Sequence, residues 1–160
     1  MHMQTPGAEP GPAGRLSAAW SQVATFASAV DAGLGKWLLD GYSVGLTEYR
    51  ALEYLAQAPD NELRVNDLAQ RVGLNQSSAT RLVSRLEAKG LTRRDLCPND
   101  GRGVYAVITE QGEALIRQVR GRYEERVGEL LGEVAASYPE PDANRLARTL
   151  REIGDLVHSR

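Results

Sequence analysis

Gln76, Ser77, Ser78, Thr80, Arg81, Ser84, Arg85 and Lys89 fall on one side of a segment whose other side is Ala79, Leu82, Val83 and Leu86, a division that makes sense on a helix. Amides, hydroxyls and guanidinium groups bond base edges and phosphates, and no acid interrupts this face until Glu87. Its chemistry is recognition of a polyanion, and its pattern suits a major groove. Arg93, Arg94 and Arg102 follow within a few residues. Catalysis has no comparable set. The only histidines are His2 and His158, and the sequence offers no HExxH, Cys/His cluster, phosphate-cradling glycine loop or paired nucleophile and base. The expectation is no enzyme, no metal and no cofactor.

The elements that must carry these residues can be read around them. Val65, Leu68, Ala69 and Val72 recur at helical spacing and Gly73 breaks the run, which predicts a helix-turn-helix with the polar face on its second helix. Asn75 is a good N-cap for that helix, and Gly90 stands where a C′ glycine would end a helix running to about Lys89. The period then changes. Leu91 to Leu96 and Val104 to Thr109 predict two strands, joined by a turn-rich connection from Cys97 to Gly103 containing Pro98, Asn99, Asp100 and Gly101. Arg93, Arg94 and Arg102 are thereby placed on or beside a protruding hairpin, a wing.

Long helices are predicted on both sides. Leu16, Trp20, Val23, Ala27, Val30, Leu34 and Trp37 step by alternating fours and threes, a heptad-like seam. Gly33 and Gly35 each weaken a helix by roughly 1 kcal/mol relative to Ala, so a bend or early end is expected there. Thr47 is the expected N-cap of a helix through Leu55, with Pro59, Asp60 and Asn61 as the following turn. Thr109 can cap a helix striped by Leu115, Val119, Tyr123, Val127, Leu130, Leu131 and Val134. Pro139 and Pro141 separate it from a last helix, Asp142 to about His158, carrying Leu146, Leu150, Ile153 and Val157. Residues 1 to 14, rich in Pro and Gly, read as a disordered tail.

The formal net charge is −2, from 19 bases and 21 acids. Its distribution is uneven. From Arg64 to Arg102 stand eight bases (Arg64, Arg71, Arg81, Arg85, Lys89, Arg93, Arg94, Arg102) against four acids (Asp67, Glu87, Asp95, Asp100), so the acidic excess lies elsewhere. This is the footprint of a basic reading head on acidic supporting helices. No apolar run approaches the about 20 residues needed to span a bilayer, no signal-peptide pattern opens the chain, and a single Cys97 provides no disulfide framework; the expected location is cytoplasmic, without a membrane partner.

Taken together, LAQRVGLNQSSATRLVSRLEAKGL, the strand opening TRRD, the turn NDGRG with its Asp100 and Arg102 pair, and the exit VYAVITEQG resemble the MarR family of winged helix-turn-helix transcriptional regulators. Upstream, GLTEYRALEYLA looks like that family's second helix. The resemblance implies a mainly α fold with a small β-hairpin wing. It divides the chain into a tail (1–14), a dimerisation helix (15–45), a winged helix-turn-helix domain (46–109), and a linker helix with a C-terminal dimerisation helix (110–160). It implies terminal helices that interlock two subunits. The apolar stripes agree, because a chain of this size cannot cover three of them alone, and a twofold axis would let two recognition helices address a palindrome.

Residue by residue, the resemblance implies DNA contacts from Gln76, Ser77, Ser78, Thr80, Arg81, Arg85, Arg94 and Arg102. Arg102 would enter the minor groove, and Asp100 would stabilise the wing. Relatives that bind small aromatic or phenolic anions suggest such an effector here, with Trp37, Tyr42, Tyr49 and Arg50 as the candidate ligand residues, although core packing is the ordinary role of most such rings. Cys97 lies beside Arg93 and Arg94, yet the family's peroxide sensors place their reactive cysteine near the first helix, which has none here, so an inert thiol is expected. The function expected is a dimeric, sequence-specific DNA-binding regulator, a repressor of palindromic operators relieved by the small anion. The alternative is a winged-helix module that docks on protein.

Overall fold

The computed structural model describes residues 12–96, 103–137 and 142–158, which divide between two compact units. One comprises residues 34–127; the other joins the chain up to Gly33 with the chain from Gly128. Among the described residues, no helix is long and apolar enough to cross a membrane.

The unit of residues 34–127 is a winged helix. It holds the end of α1 (Pro12–Tyr42), then α2 (Leu46–Gln57), β1 (Glu62–Arg64), α3 (Val65–Val72), α4 (Gln76–Ala88), β2 (Thr92–Leu96), β3 (Val104–Ile108) and the first part of α5 (Glu110–Ser137). The three antiparallel strands are ordered β1-β3-β2, with Leu63 opposite Ala106 and Arg94 opposite Ala106 on the other side. Strand β1 was not foreseen. Three residues are too few to show an alternating pattern, and their only local signal is the turn before them, where Asp60 and Asn61 both take positive φ.

A single core gathers Leu52 and Leu55 from α2, Leu68 from α3, Leu82, Val83 and Leu86 from α4, Ala106 and Ile108 from β3, and Ile116 and Val119 from α5. Each fully buried Leu or Ile contributes about 1.5–3 kcal/mol relative to an exposed one, so this set fixes the orientation of α4. The predicted ends of α4 are met: the Asn75 side chain accepts the Ser78 N–H at 2.8 Å, and Gly90 has φ 73°. Thr109 precedes α5 as expected. Its Oγ1 accepts the Gly112 N–H at 3.1 Å and donates to the Gly90 carbonyl at 2.7 Å, tying the start of α5 to the end of α4.

Helix α2 starts two residues earlier than read from Thr47. Gly45 is the N-cap, and Glu48 at the third helical position accepts the Gly45 N–H at 3.2 Å, the half of a capping box that needs no side chain on the cap residue.

In the other unit, Phe26 and Val30 of α1, Leu130, Leu131 and Ala135 of α5, and Ala143 and Ala147 of α6 (Asp142–His158) are buried. Helix α1 runs through Gly33 and Gly35 without the expected break. A Cβ on Gly33 would lie 2.6 Å from Leu130 Cδ2, so the missing side chain is used for close helix packing. The expected seam of α1 is only partly buried: Phe26 takes the core position expected of Ala27, while Leu16 and Trp20 are 75 and 70% exposed. Of the tail expected at residues 1–14, residues 12–14 belong to α1 and the rest lies outside the described residues, as do Cys97, Asp100 and Arg102.

Candidate nucleic-acid interface

Helix α3, the left-handed turn at Gly73 (φ 77°) and α4 form the helix-turn-helix, and the polar face of α4 is exposed as the spacing predicted. The short side chains on it are largely committed to the helix itself. Ser77 Oγ donates to Asn75 Oδ1 at 2.9 Å, Thr80 Oγ1 to the Gln76 carbonyl at 2.9 Å, and Ser84 Oγ to the Thr80 carbonyl at 3.0 Å. The longer Gln76 and Arg81 are exposed on the same helix. Arg81 touches Ser78 Oγ at 3.5 Å.

Three further cations are anchored. Arg94 on β2 reaches α4, where its Nε lies 2.9 Å from Glu87 Oε2 and a terminal nitrogen donates to Ser84 Oγ at 2.7 Å. Arg85 donates through Nε to Glu48 Oε1 at 3.4 Å, and Lys89 donates to Glu48 Oε2 at 2.6 Å and to the Ser43 carbonyl at 2.9 Å. Arg85 and Lys89 thus share a buried carboxylate of α2, whereas Arg94 joins β2 to α4.

A cleft of about 220 Å³ opens between α4 and the sheet, lined by Arg64, Asn66, Gln76, Thr80, Arg94 and Gly103 among others. Gln76, Thr80 and Arg94 therefore converge on one place, and Arg64 and Asn66 join them. The sequence does not mark either of the last two as a contact, and Arg64 enters it only as one base of the basic segment. Arg64 Nε donates to Tyr105 Oη at 3.0 Å, and its guanidinium stands 5.6 Å from that ring's centroid. The available signal was that Arg64 immediately precedes α3, and only the pairing of β1 with β3 brings it beside Tyr105.

The four candidate ligand residues do not share one place. Trp37 and Tyr42 meet edge to face, 5.2 Å between centroids, and both are half-buried, as is Arg50. Tyr49 is 1% exposed; its ring lies 4.3 Å from that of Tyr123 and its hydroxyl donates to Glu53 Oε1 at 2.7 Å. Burial, then the Glu53 carboxylate, push its pKa far above the usual tyrosine range. Glu53 also takes two hydrogen bonds from Arg120 of α5, at 3.2 and 3.1 Å, which holds that guanidinium more firmly protonated still. A separate cavity of about 500 Å³ is lined by Tyr42, Ser43, Val44, Lys89, Leu91, Gln111, Ala114, Leu115 and Gln118, so Tyr42 is the one candidate on it and its cation is Lys89.

Residues 42–103 match the family model described as MarR family. The matched stretch lies within the winged-helix unit. Solved structures of the same fold include a MarR family transcriptional regulator from Streptomyces coelicolor in complex with DNA, 24% identical, covering 97% of this chain and 91% of that one at a TM-score of 0.70. AbsC, a MarR family transcriptional regulator from the same organism, is 24% identical, covers 95% of this chain and 99% of that one, and has a TM-score of 0.68. MepR of S. aureus, in a complex with DNA, is 16% identical, covering 88 and 97% at 0.65. These likenesses, all under 25% identical, show the fold that this chain shares with them.

Proposed function

We propose that the protein is a homodimeric, sequence-specific DNA-binding regulator that represses from palindromic operators. The observation that carries this reading is the convergence of Gln76 and Thr80 of α4 with Arg94 of β2 on one cleft, on the exposed face of a helix that also carries Arg81 and whose opposite face is locked into the core. The recognition helix α4 enters the major groove, where Gln76 and Arg81 meet base edges and Ser77, Ser78, Thr80, Arg85 and Arg94 meet bases or phosphates. Arg102, with Asp100 beside it in the sequence, serves the adjacent minor groove.

Dimerisation is supported by the exposed apolar residues of the terminal helices. Leu16, Trp20 and Val23 on α1 and Leu150, Ile153, Leu156 and Val157 on α6 belong to the same compact unit, and a second copy would cover them.

Regulation by a small aromatic anion is supported by the cavity beside Tyr42, which offers an aromatic ring, apolar Val44, Leu91 and Leu115, and the Lys89 ammonium. The anion lowers DNA affinity by favouring a dimer geometry whose recognition helices no longer match successive major grooves.

The reading is tested by selecting bound fragments from random duplex DNA and measuring their affinity across a salt series. A steep fall with salt, with one recovered palindrome, is expected. Docking on protein instead would leave the selection without a consensus and any DNA affinity indifferent to sequence.

A further inference from the structure

Glu48 is the one charged side chain among the described residues that is buried, at 6% exposure. Its capping bond to the Gly45 N–H requires no burial, since such carboxylates work at exposed helix starts. What burial adds is the contact with α4. One carboxylate faces two cations there: Lys89 at 2.6 Å, and Arg85 at 3.4 Å with its side chain still 53% exposed. The closer lysine neutralises the acid, and the arginine is held by one edge. A guanidinium is a rigid plane with five donors, so a bond through Nε fixes the plane and leaves the terminal nitrogens on the far edge. An unheld arginine on an exposed helix face would lose rotamer freedom on meeting a phosphate; this one has lost part of it already.

We propose that Glu48 is a positioning residue for DNA binding: through Nε it orients the outer edge of Arg85 toward a backbone phosphate, while Lys89 compensates its charge. This rests on the reading of α4 as the DNA-contacting helix. It also makes a prediction opposite in sign to simple charge counting. Removing a carboxylate near a polyanion should raise affinity by Coulomb attraction alone, whereas removing the orienting partner of Arg85 should lower it.

The test uses the full chain and its selected duplex, measured by fluorescence anisotropy over a salt series, with R81A as a check on the helix itself. Glu48→Gln keeps the size and a capping acceptor but loses the charge. E48Q and R85A are each expected to weaken binding about tenfold, the scale of one charge-assisted hydrogen bond. R85A should flatten the salt dependence by about one phosphate contact. The double variant should bind within about threefold of R85A, because the two act as one unit. R85K, which keeps the charge but cannot bond the acid and a phosphate from opposite edges of a plane, should bind nearly as poorly as R85A. E48Q binding as well as or better than the unaltered chain, effects of E48Q and R85A that multiply, or R85K binding as the unaltered chain would each overturn the proposal. Should E48Q melt below the assay temperature, R85K decides, since it leaves Glu48 paired with Lys89. If R81A also leaves affinity unchanged, the reading of α4 has failed; if R81A weakens binding and E48Q does not, only the role of Glu48 has.

Discussion

Arg81 and Arg94 carry the same charge and are held differently, so they should fail differently. Arg81 has one long contact, to Ser78, and is free to follow a base edge; Arg94 is fixed by Glu87 and Ser84. R81A should cost roughly 1–3 kcal/mol on the selected site and relax the preference at one base pair, while R94A should weaken all duplexes alike and reduce the salt slope by about one. Anisotropy on a set of single-base variants of the site separates the two patterns, and an unchanged base preference in R81A would count against base reading. Tyr49 offers a residue-scale prediction of another kind. Its pKa is raised in the folded protein by burial and by Glu53. Above pH ~10 the unfolded chain releases the phenolic proton and the folded one keeps it, so the contribution is complete below that pH and stability falls as pH rises past it. Denaturant unfolding between pH 9 and 11 should show this fall in the native chain and a smaller one in Y49F.

Among the elements, α4 was legible to the residue because three independent signals coincide there: an apolar stripe, an asparagine cap and a terminal glycine. The start of α2 was misread because the capping partner is a glutamate three residues inside the helix, and Thr47 offered a more familiar signal. Strand β1 exists only through its pairing with β3, a long-range fact that three residues cannot announce, and the convergence of Arg64 with Arg94 on one cleft was hidden with it. The rings of Trp37, Tyr42 and Tyr49 showed as an aromatic concentration, but which ring turns inward depends on partners as distant as Tyr123. Glycines illustrate the same limit. A Cβ on Gly112 would lie 2.3 Å from the Leu91 carbonyl oxygen, a backbone atom, whereas one on Gly121 of the same helix meets nothing within 4 Å. G112A should therefore destabilise by about 2 kcal/mol and lower the unfolding midpoint by ~4–8 °C. G121A should stabilise by about 0.5–1 kcal/mol, the ordinary gain of alanine in a helix. Calorimetry of both variants checks the pair, and equal midpoints would contradict the close approach of α5 to the end of α4.

For the whole molecule, the distribution of exposed apolar groups makes the strongest case for a second copy. Of ten large hydrophobic side chains exposed among the described residues, seven lie on the terminal helices in the unit that holds Trp20 and Val157, and three on the larger winged-helix unit. A solvated helix end has no use for Trp20 at 70% exposure beside Leu16 at 75%, or for Leu156 and Val157 at 67 and 71% on α6. Covering them with the same surface of a twin chain satisfies both copies at once, which a different partner would not. The test introduces charge rather than deleting a helix, because truncation would also strip Phe26 and Val30 from their core. W20E combined with L156E should shift sedimentation from dimer to monomer while the winged helix keeps its own thermal transition. A monomer addresses one half-site, so it should lose roughly the affinity contributed by the second recognition helix, and half-sites about 34 Å apart should no longer be bound cooperatively. If the double variant sediments as the native chain does, the partner surface lies elsewhere; if it is monomeric yet binds the full palindrome with native affinity, two recognition helices are not needed and the proposed mode of operator reading fails.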